Sequence, residues 1–309
     1  MTSQQGMLDG FDPPRSRSVE IARVLVDVDL PHMDRPLDYV VPDKLIDEAT
    51  VGQLVRVRFS GARVDGWIVE CTQREMLDDS AHIESVASSI PVLTPALYET
   101  ARRIAGRFLA TTSQVLSLAI PPRHARAEKH VLEQTPPPWP SLEAPSVSAG
   151  WGAYSAGQAL LNRLSSGQSP RAVVTALRPL MRRCLSDAVA ATVSSGRSVI
   201  IVTSTGEEAS RYARNLEEDL GVPVAVTGGE VTPEERYRIH AAATLGHVPI
   251  VVGTRSAVWV PCTKLGLIII CDDGDDRLRE RRFPRCDSLD VAVQRCAVEG
   301  AGLLVTSYA

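Results

Sequence analysis

Hydrophobic residues follow a strand-like rhythm in the first part of the chain. The strand-like segments are residues 19–28, 38–42, 54–59 and 64–70. Within 54–59, a period of two sends Val55, Val57 and Phe59 to one face. Arg56 and Arg58 then share the opposite, solvent-facing side. The pattern predicts a small β-rich sheet or barrel.

A second rhythm begins after residue 152, where continuous apolar runs alternate with helical segments. The apolar runs are residues 198–203, 222–226, 249–253, 265–271 and 303–306. Capping boxes at 204–207 and 232–235 open two of the helices, and Gly221 closes the first. Strands buried on both faces and separated by capped helices indicate a doubly wound parallel sheet.

The segments between these two regions define the expected domain organisation. Thr94 and Pro95 open a helix that runs to about Leu109, and a further helical stretch ends at the prolines 121–122. Residues 123–152 are rich in proline, serine and alanine, a composition typical of a linker. We therefore predict four parts: a disordered tail at 1–18, a β-rich domain at 19–122, a linker at 123–152 and an α/β lobe at 153–309.

Composition limits the function classes. The 309 residues carry 33 basic and 37 acidic side chains, so no chain-wide positive field attracts nucleic acid and any polyanion site must be a local patch. Lysine occurs only as Lys44, Lys129 and Lys264, and none of them stands in the Gly-Lys-Ser/Thr context of a P-loop. The sequence predicts no phosphate cradle of the usual kind.

The spacing of the cysteines and the length of the apolar runs indicate which metal sites and which cellular location to expect. None of the six cysteines forms a C-x2-C or C-x4-C pair, so we expect no zinc site and instead reduced, buried thiols. No apolar run approaches the length of a membrane span, and the first 14 residues contain no signal-peptide core. These features favour a soluble, cytoplasmic protein.

Two constellations follow strands of the predicted parallel sheet. Gly253, Thr254, Arg255 and Ser256 stand at the carboxyl end of one strand, where α/β folds bind ligands, although an ordinary strand-to-loop turn has the same local pattern.

Asp272, Asp273 and Asp275 follow the next strand. Carboxylates at such a position suit Mg²⁺, and a solvated acidic turn around Gly274 is the alternative interpretation.

In this order and at this separation, residues 250–261 and 265–273 resemble the first motor lobe of the bacterial PriA family of replication restart proteins, also called primosomal protein N′. Residues 30–42, 52–59 and 66–69 are similar to that family's domain for the 3′ end of a leading strand. The resemblance implies a small β-rich DNA-binding domain followed by a RecA-like helicase lobe.

The resemblance also implies site residues. A 3′-end pocket would be formed by Leu37, Asp38 and Tyr39 together with the turn at Ser60 and Gly61. Asp38 would lie near the terminal 3′ hydroxyl and Tyr39 would pack below it, whereas Leu37 replaces an aromatic residue that could stack a base.

Backbone phosphates have their own candidate ligands. Arg56 and Arg58 share a strand face, and Arg63 lies just beyond the adjoining turn. Glu84 aligns where the family has a basic residue, which predicts modest affinity.

The departures from the family are as informative as the matches. The family's P-loop should lie near 177–182, where this chain has neither glycine nor lysine, and its Asp-Glu-x-His box reads Asp-Asp-Gly-Asp at 272–275. The residues 253–256 and 272–275 are therefore expected to be degenerate motor motifs. We also expect the chain to match about the first half of such a protein, without the Ser-Ala-Thr motif, the zinc cluster or the second lobe.

The resulting functional hypothesis is DNA binding at stalled or branched forks and at single-stranded 3′ ends, with primosome assembly and without helicase activity. The family implies other primosome proteins and single-stranded DNA-binding protein as partners, a nucleoid-associated location in the cytoplasm, and no membrane. No catalytic residue, metal or ATP cofactor is assigned to this chain. Two alternatives stay open: an ATP-dependent 3′ to 5′ helicase with an unrecognised nucleotide site, and an inactive remnant.

Overall fold

The computed structural model describes residues 17–76, 80–145, 150–175 and 178–307. It opens with a five-stranded sheet of order β2-β1-β4-β3-β5, in which every named pair is antiparallel. The strands are β1 Arg17–Val26, β2 Leu37–Val40, β3 Leu54–Phe59, β4 Ala62–Met76 and β5 Ile83–Val86. The tail predicted at 1–18 lies almost wholly outside the described residues.

Alternation of apolar and polar residues sets the two faces of this sheet. In β3, Val55 and Val57 are buried and Arg56 and Arg58 are exposed, as the period of two predicts. The inward side chains of all five strands form one apolar cluster, which includes Ile68. Charged side chains are therefore concentrated on the outer face.

Three helices follow the sheet: α1 Pro95–Phe108, α2 Thr112–Ala119 and α3 Ala125–Glu133. Thr94 caps α1 through its side chain, and Thr111 closes a capping box with Gln114 at the start of α2. Helix α3 lies within the segment 123–152, for which the sequence predicts a linker, and it packs against the second domain.

The second domain is a six-stranded parallel sheet of order β6-β11-β10-β7-β9-β8 with helices between its strands. Two domains of these types confirm the predicted α/β fold class. The strands are β6 Arg171–Thr175, β7 Ser198–Val202, β8 Ala225–Thr227, β9 Ile250–Gly253, β10 Leu265–Cys271 and β11 Gly302–Ser307. The helices are α4 Gly157–Ser165, α5 Arg178–Ser194, α6 Gly206–Leu220, α7 Pro233–Thr244 and α8 Ser288–Glu299.

The two sheets are joined by a shared apolar core. Leu25 and Trp67 of the antiparallel sheet belong to the same buried cluster as Tyr237 of α7 and Ile268 of β10, with α1 and α2 between them. None of the helices in the described ranges is both long and apolar enough to cross a bilayer. Continuous packing holds the β-rich domain directly against the lobe.

Candidate functional site

Strand β2 sends its predicted site residues to opposite faces. Leu37 and Tyr39 pack in the apolar cluster of the sheet, whereas Asp38 lies on the outer face. The Tyr39 hydroxyl donates to the carbonyl of Arg58 at 3.2 Å, and burial raises the pKa of Tyr39. This bond links Tyr39 of β2 to the end of β3, two residues before the turn at 60–61, whereas Asp38 lies on the opposite face.

The turn between β3 and β4 contains only Ser60 and Gly61, and Phe59 pairs with Ala62 across it. Both central residues have positive φ, 48° for Ser60 and 81° for Gly61, which is the requirement of a tight hairpin turn whose twist matches the strands. Glycine meets this requirement without strain, so the turn is sharp and the arginines flanking it lie close together.

Asp38 is held between two guanidinium groups. Its Oδ2 accepts from Arg74 Nη1 at 2.9 Å, and its Oδ1 lies 3.5 Å from Nε of Arg23, which also donates to Glu70 at 2.8 Å. Sequence reasoning missed Arg23 and Arg74, because only strand pairing brings them beside Asp38. The group combines an acceptor for a hydroxyl with two cations suited to phosphate.

All three arginines predicted to contact phosphate form ion pairs on the same outer face. Arg56 Nε lies 3.1 Å from Asp65, Arg58 Nε lies 2.8 Å from Glu84, and Arg63 Nε lies 2.9 Å from the other oxygen of Glu84. Their side chains are 47–70% exposed. Surface pairs of this kind stabilise a fold little, so a ligand can displace them.

Thr254, Arg255 and Ser256 line a cleft of about 590 Å³ at the carboxyl ends of the parallel strands. A Cβ on Gly253 would lie 2.3 Å from the Thr227 carbonyl, so close strand approach requires glycine there. Arg255 pairs with Glu280 at 3.3 Å, and the buried Nε of Arg236 has no hydrogen-bond partner. Residues 117–122 form the opposite wall, which places the cleft between the two domains.

The acidic segment after β10 is folded back on the sheet. Asp272 has φ of 61° and its amide donates to the Thr306 carbonyl at 2.8 Å. Asp275 is bound by Arg277, whose hydrogen bonds hold the pKa of that carboxyl far below its usual range. Within the described ranges, no group of three or more His, Cys, Asp and Glu residues is placed to hold a metal ion.

Of the position expected for a P-loop, residues 177–182, Leu177 lies outside the described residues and 178–182 lie in α5. Strand β6 ends at Thr175 and α5 begins at Arg178, and the two residues between them, Ala176 and Leu177, lie outside the described residues. No glycine occurs between Gly167 and Gly196. A phosphate cradle needs several free backbone N–H groups in a glycine-rich loop, and the sequence from 168 to 195 contains no glycine for such a loop.

The six thiols are free, and five of them are buried. Burial raises the pKa of Cys184 and Cys286 to about 11 and that of Cys262 to about 12, so these thiols are protonated at neutral pH. Cys71 is half-buried and its thiol pKa is raised by the same cause.

Comparison of the sequence with known proteins finds a matching family and several relatives. Residues 23–121 match the PriA 3′ DNA-binding domain family. A probable replication restart protein PriA of Mycobacterium tuberculosis is 36% identical over 290 residues, which cover 91% of this chain and 43% of that protein. The corresponding Mycobacterium leprae protein is 31% identical over 283 residues, with 90% and 43% covered. A replication restart protein PriA of Rickettsia felis is 20% identical over 275 residues, with 88% and 40% covered. The chain thus spans less than half the length of these relatives.

Proposed function

Because this chain belongs to the PriA family, we propose that it acts in replication restart by binding DNA at 3′ ends and branched forks, without motor activity. The observation that carries the proposal is the arrangement at Asp38, inside the residues that match the 3′ DNA-binding domain. A carboxylate flanked by Arg23 and Arg74 at the protein surface suits the end of a strand, where a free hydroxyl adjoins a phosphate.

Each part of the site has a defined role in this proposal. The Asp38 carboxylate accepts a hydrogen bond from the terminal 3′ hydroxyl, and Tyr39 fixes the position of β2 through its bond to the Arg58 carbonyl. Leu37 offers no aromatic face, so a stacking contribution of about 1 to 3 kcal/mol per base is missing. The site therefore recognises the hydroxyl terminus with modest affinity.

Phosphates preceding the terminus contact the outer face of β3 and β4. Arg56, Arg58 and Arg63 face that side, where Asp65 and Glu84 accompany them, so three guanidinium groups stand against two carboxylates. The resulting local excess of positive charge is small. We expect micromolar-range binding that weakens with salt, by a slope of about 0.7 per phosphate contact for a single strand.

The α/β lobe serves as a scaffold in this proposal. Phosphoryl transfer requires the triphosphate to be positioned and its charge stabilised, and the short β6–α5 connection supplies neither glycine nor lysine. Asp275, one of the acidic residues predicted at a motor position, is already paired with Arg277. ATP hydrolysis and unwinding are therefore not expected of this chain, and primosome proteins are the expected partners of the bound complex.

Fluorescence anisotropy with labelled single strands tests the proposal. Asp38→Asn removes the carboxylate charge between Arg23 and Arg74, while Arg23 keeps its pair with Glu70. We therefore expect lost discrimination between a 3′ hydroxyl and a 3′ phosphate without weaker overall binding. Asp65→Asn is the matched control, because it removes an exposed carboxylate from the same sheet face and should keep the discrimination. Unchanged discrimination in Asp38→Asn would refute the assigned role.

A further inference from the structure

The strand register places two arginines in an unfavourable position. Arg58 of β3 and Arg63 of β4 are directly opposite each other in the antiparallel pair that flanks the turn. Like charges at opposed positions destabilise a hairpin, and here the tight turn prevents the strands from moving apart. The hairpin itself gains nothing from two cations at this point.

Glu84 offsets this repulsion from the neighbouring strand. Ile83 opposes Val57 and is buried, so Glu84 emerges on the outer face beside the turn. Its two oxygens are divided between the arginines, one at 2.8 Å from Arg58 Nε and the other at 2.9 Å from Arg63 Nε. A single anion thus bridges two guanidinium groups, while the side chains of both arginines stay more than half exposed to solvent.

From this arrangement we propose that the Glu84 carboxylate occupies the position of a DNA phosphate, and that Arg58 and Arg63 form one phosphate subsite that Glu84 fills when no DNA is bound. The inference rests on the proposed DNA binding and deepens it. An oxyanion bridging two guanidinium groups is the geometry in which arginine pairs bind phosphate. Glu84 therefore competes with the ligand and limits its affinity.

Competition predicts opposite effects on binding and on stability. Glu84→Gln removes the charge and keeps a hydrogen-bond acceptor, so DNA should bind about threefold to tenfold more tightly at low salt. The salt slope should stay unchanged, because the same phosphates contact the arginines in both proteins and only the competing carboxylate differs. Without DNA, the variant should unfold at a slightly lower temperature, since the arginines again repel each other.

The control is Glu99→Gln on α1. Glu99 is also held by two arginines, with Arg102 and Arg103 each at 2.9 Å, so the two variants change net charge and ion pairing equally. A further variant, Glu84→Lys, reverses the charge at this position and should raise the affinity for DNA above that of Glu84→Gln. Binding is measured by anisotropy with a labelled single strand over a salt series, on the full chain.

The possible results distinguish a failure of the proposed subsite from a failure of the proposed DNA binding. Tighter binding by Glu84→Gln at an unchanged salt slope, with binding by Glu99→Gln unaltered, supports the subsite. Equal tightening in both variants would assign the effect to net charge and overturn the proposal, as would weaker binding in Glu84→Gln, which would make Glu84 an organiser of the arginines. If the wild type binds DNA and Glu84→Gln binds it with the same affinity, the subsite alone is overturned. No binding by any variant overturns the proposed function and the subsite with it.

Discussion

Charged side chains play different parts on the antiparallel sheet and at the joint between the domains. On the sheet, the partly exposed carboxylates of Asp38 and Glu84 are held by arginines at the protein surface. At the joint, Glu128 is 2% exposed and accepts from the Ser89 amide, from Arg123 at 2.6 Å and from the Tyr237 hydroxyl at 3.2 Å. The exposed pairs can exchange partners with a ligand, whereas the buried group fixes the fold.

The same contrast explains why the β-rich domain is firmly attached to the lobe. Glu128 on α3 joins the loop after β5 to α7, and His240 of α7 bonds the Val92 carbonyl at 3.1 Å. Both contacts connect chain segments that are far apart in sequence. The lobe therefore supports the sheet on which the proposed DNA site lies, even though its residues 177–182 contain neither glycine nor lysine.

The largest effect is expected from removing the buried carboxylate of Glu128. Glu128→Ala leaves the Tyr237 hydroxyl and the Ser89 amide without an acceptor, so it should lower the free energy of unfolding by about 3 kcal/mol. Glu133→Ala on the same helix removes an exposed pair with Lys129 at 3.6 Å and should cost less than about 0.5 kcal/mol. Urea denaturation measures both, and equal effects would contradict a structural role specific to Glu128.

Acid should weaken the same joint through His240. Burial lowers the pKa of His240 from 6.5 to about 4, so the unfolded chain binds a proton near pH 6.5 and the folded chain does not. Stability contributed by the neutral imidazole is complete above pH 6.5 and is lost as the pH falls towards 4. Between pH 7 and 5 the loss should be about 2 kcal/mol.

Other groups also titrate in that range, so the wild type is compared with His240→Gln in urea denaturation at both pH values. The variant keeps a donor for the Val92 carbonyl and has no titrating ring. A smaller loss of stability in the variant is expected, and an identical loss in both proteins would show that His240 does not contribute.

On the exposed side, Arg56→Ala together with Arg58→Ala should weaken DNA binding about tenfold at low salt and make the salt slope shallower by about 1.4. The effect should be uniform across sequences, because phosphate contacts carry no base information. Arg102→Ala with Arg103→Ala on α1 removes the same charge and should change binding little. Fluorescence anisotropy measures the DNA affinity of both double variants. Equal losses of affinity would mean that the sheet face is not the contact surface.

The smallest expected signal comes from nucleotide chemistry. No DNA-stimulated phosphate release from ATP is expected, because residues 177–182 contain neither the glycine nor the lysine of a phosphate-binding loop. Release measured with purified chain should equal the blank. Activity that was abolished by Asp272→Ala combined with Asp273→Ala would contradict this prediction and favour a nucleotide site of another kind.

Local signals predicted much of the fold. The alternation in β3, the cap at Thr94 and the left-handed Gly221 all stand where the sequence predicts them. Helix α6 is capped by Thr205, which accepts from the Glu208 amide, so its cap lies one residue later than the box predicted at 204–207 implies. Helix α3 was not predicted, because the proline-rich residues around it dominate the composition of its segment, while its stability comes from packing on α7. Such packing is a tertiary property that a local pattern does not contain.

The candidate site shows the same limit. Asp38 is identified through a motif, but its partner Arg74 is 36 residues away and reaches it only through the pairing of β1 with β2 and β4. Glu84 likewise meets Arg58 and Arg63 only after β5 joins β3. Sequence therefore supplied the residues that a motif contains, and strand register supplied the charges that surround them.

Recognition of a free 3′ end is best tested by the affinity of the wild-type chain for two oligonucleotides that differ only at the 3′ terminus. We expect a strand ending in a hydroxyl to bind several-fold more tightly than one ending in a phosphate, because Asp38 accepts a hydrogen bond from the first and repels the second. The affinities for the two oligonucleotides should fall in parallel as the salt concentration is raised. Equal affinity at low salt, or a preference for the phosphate, would contradict recognition of a free 3′ end by this sheet.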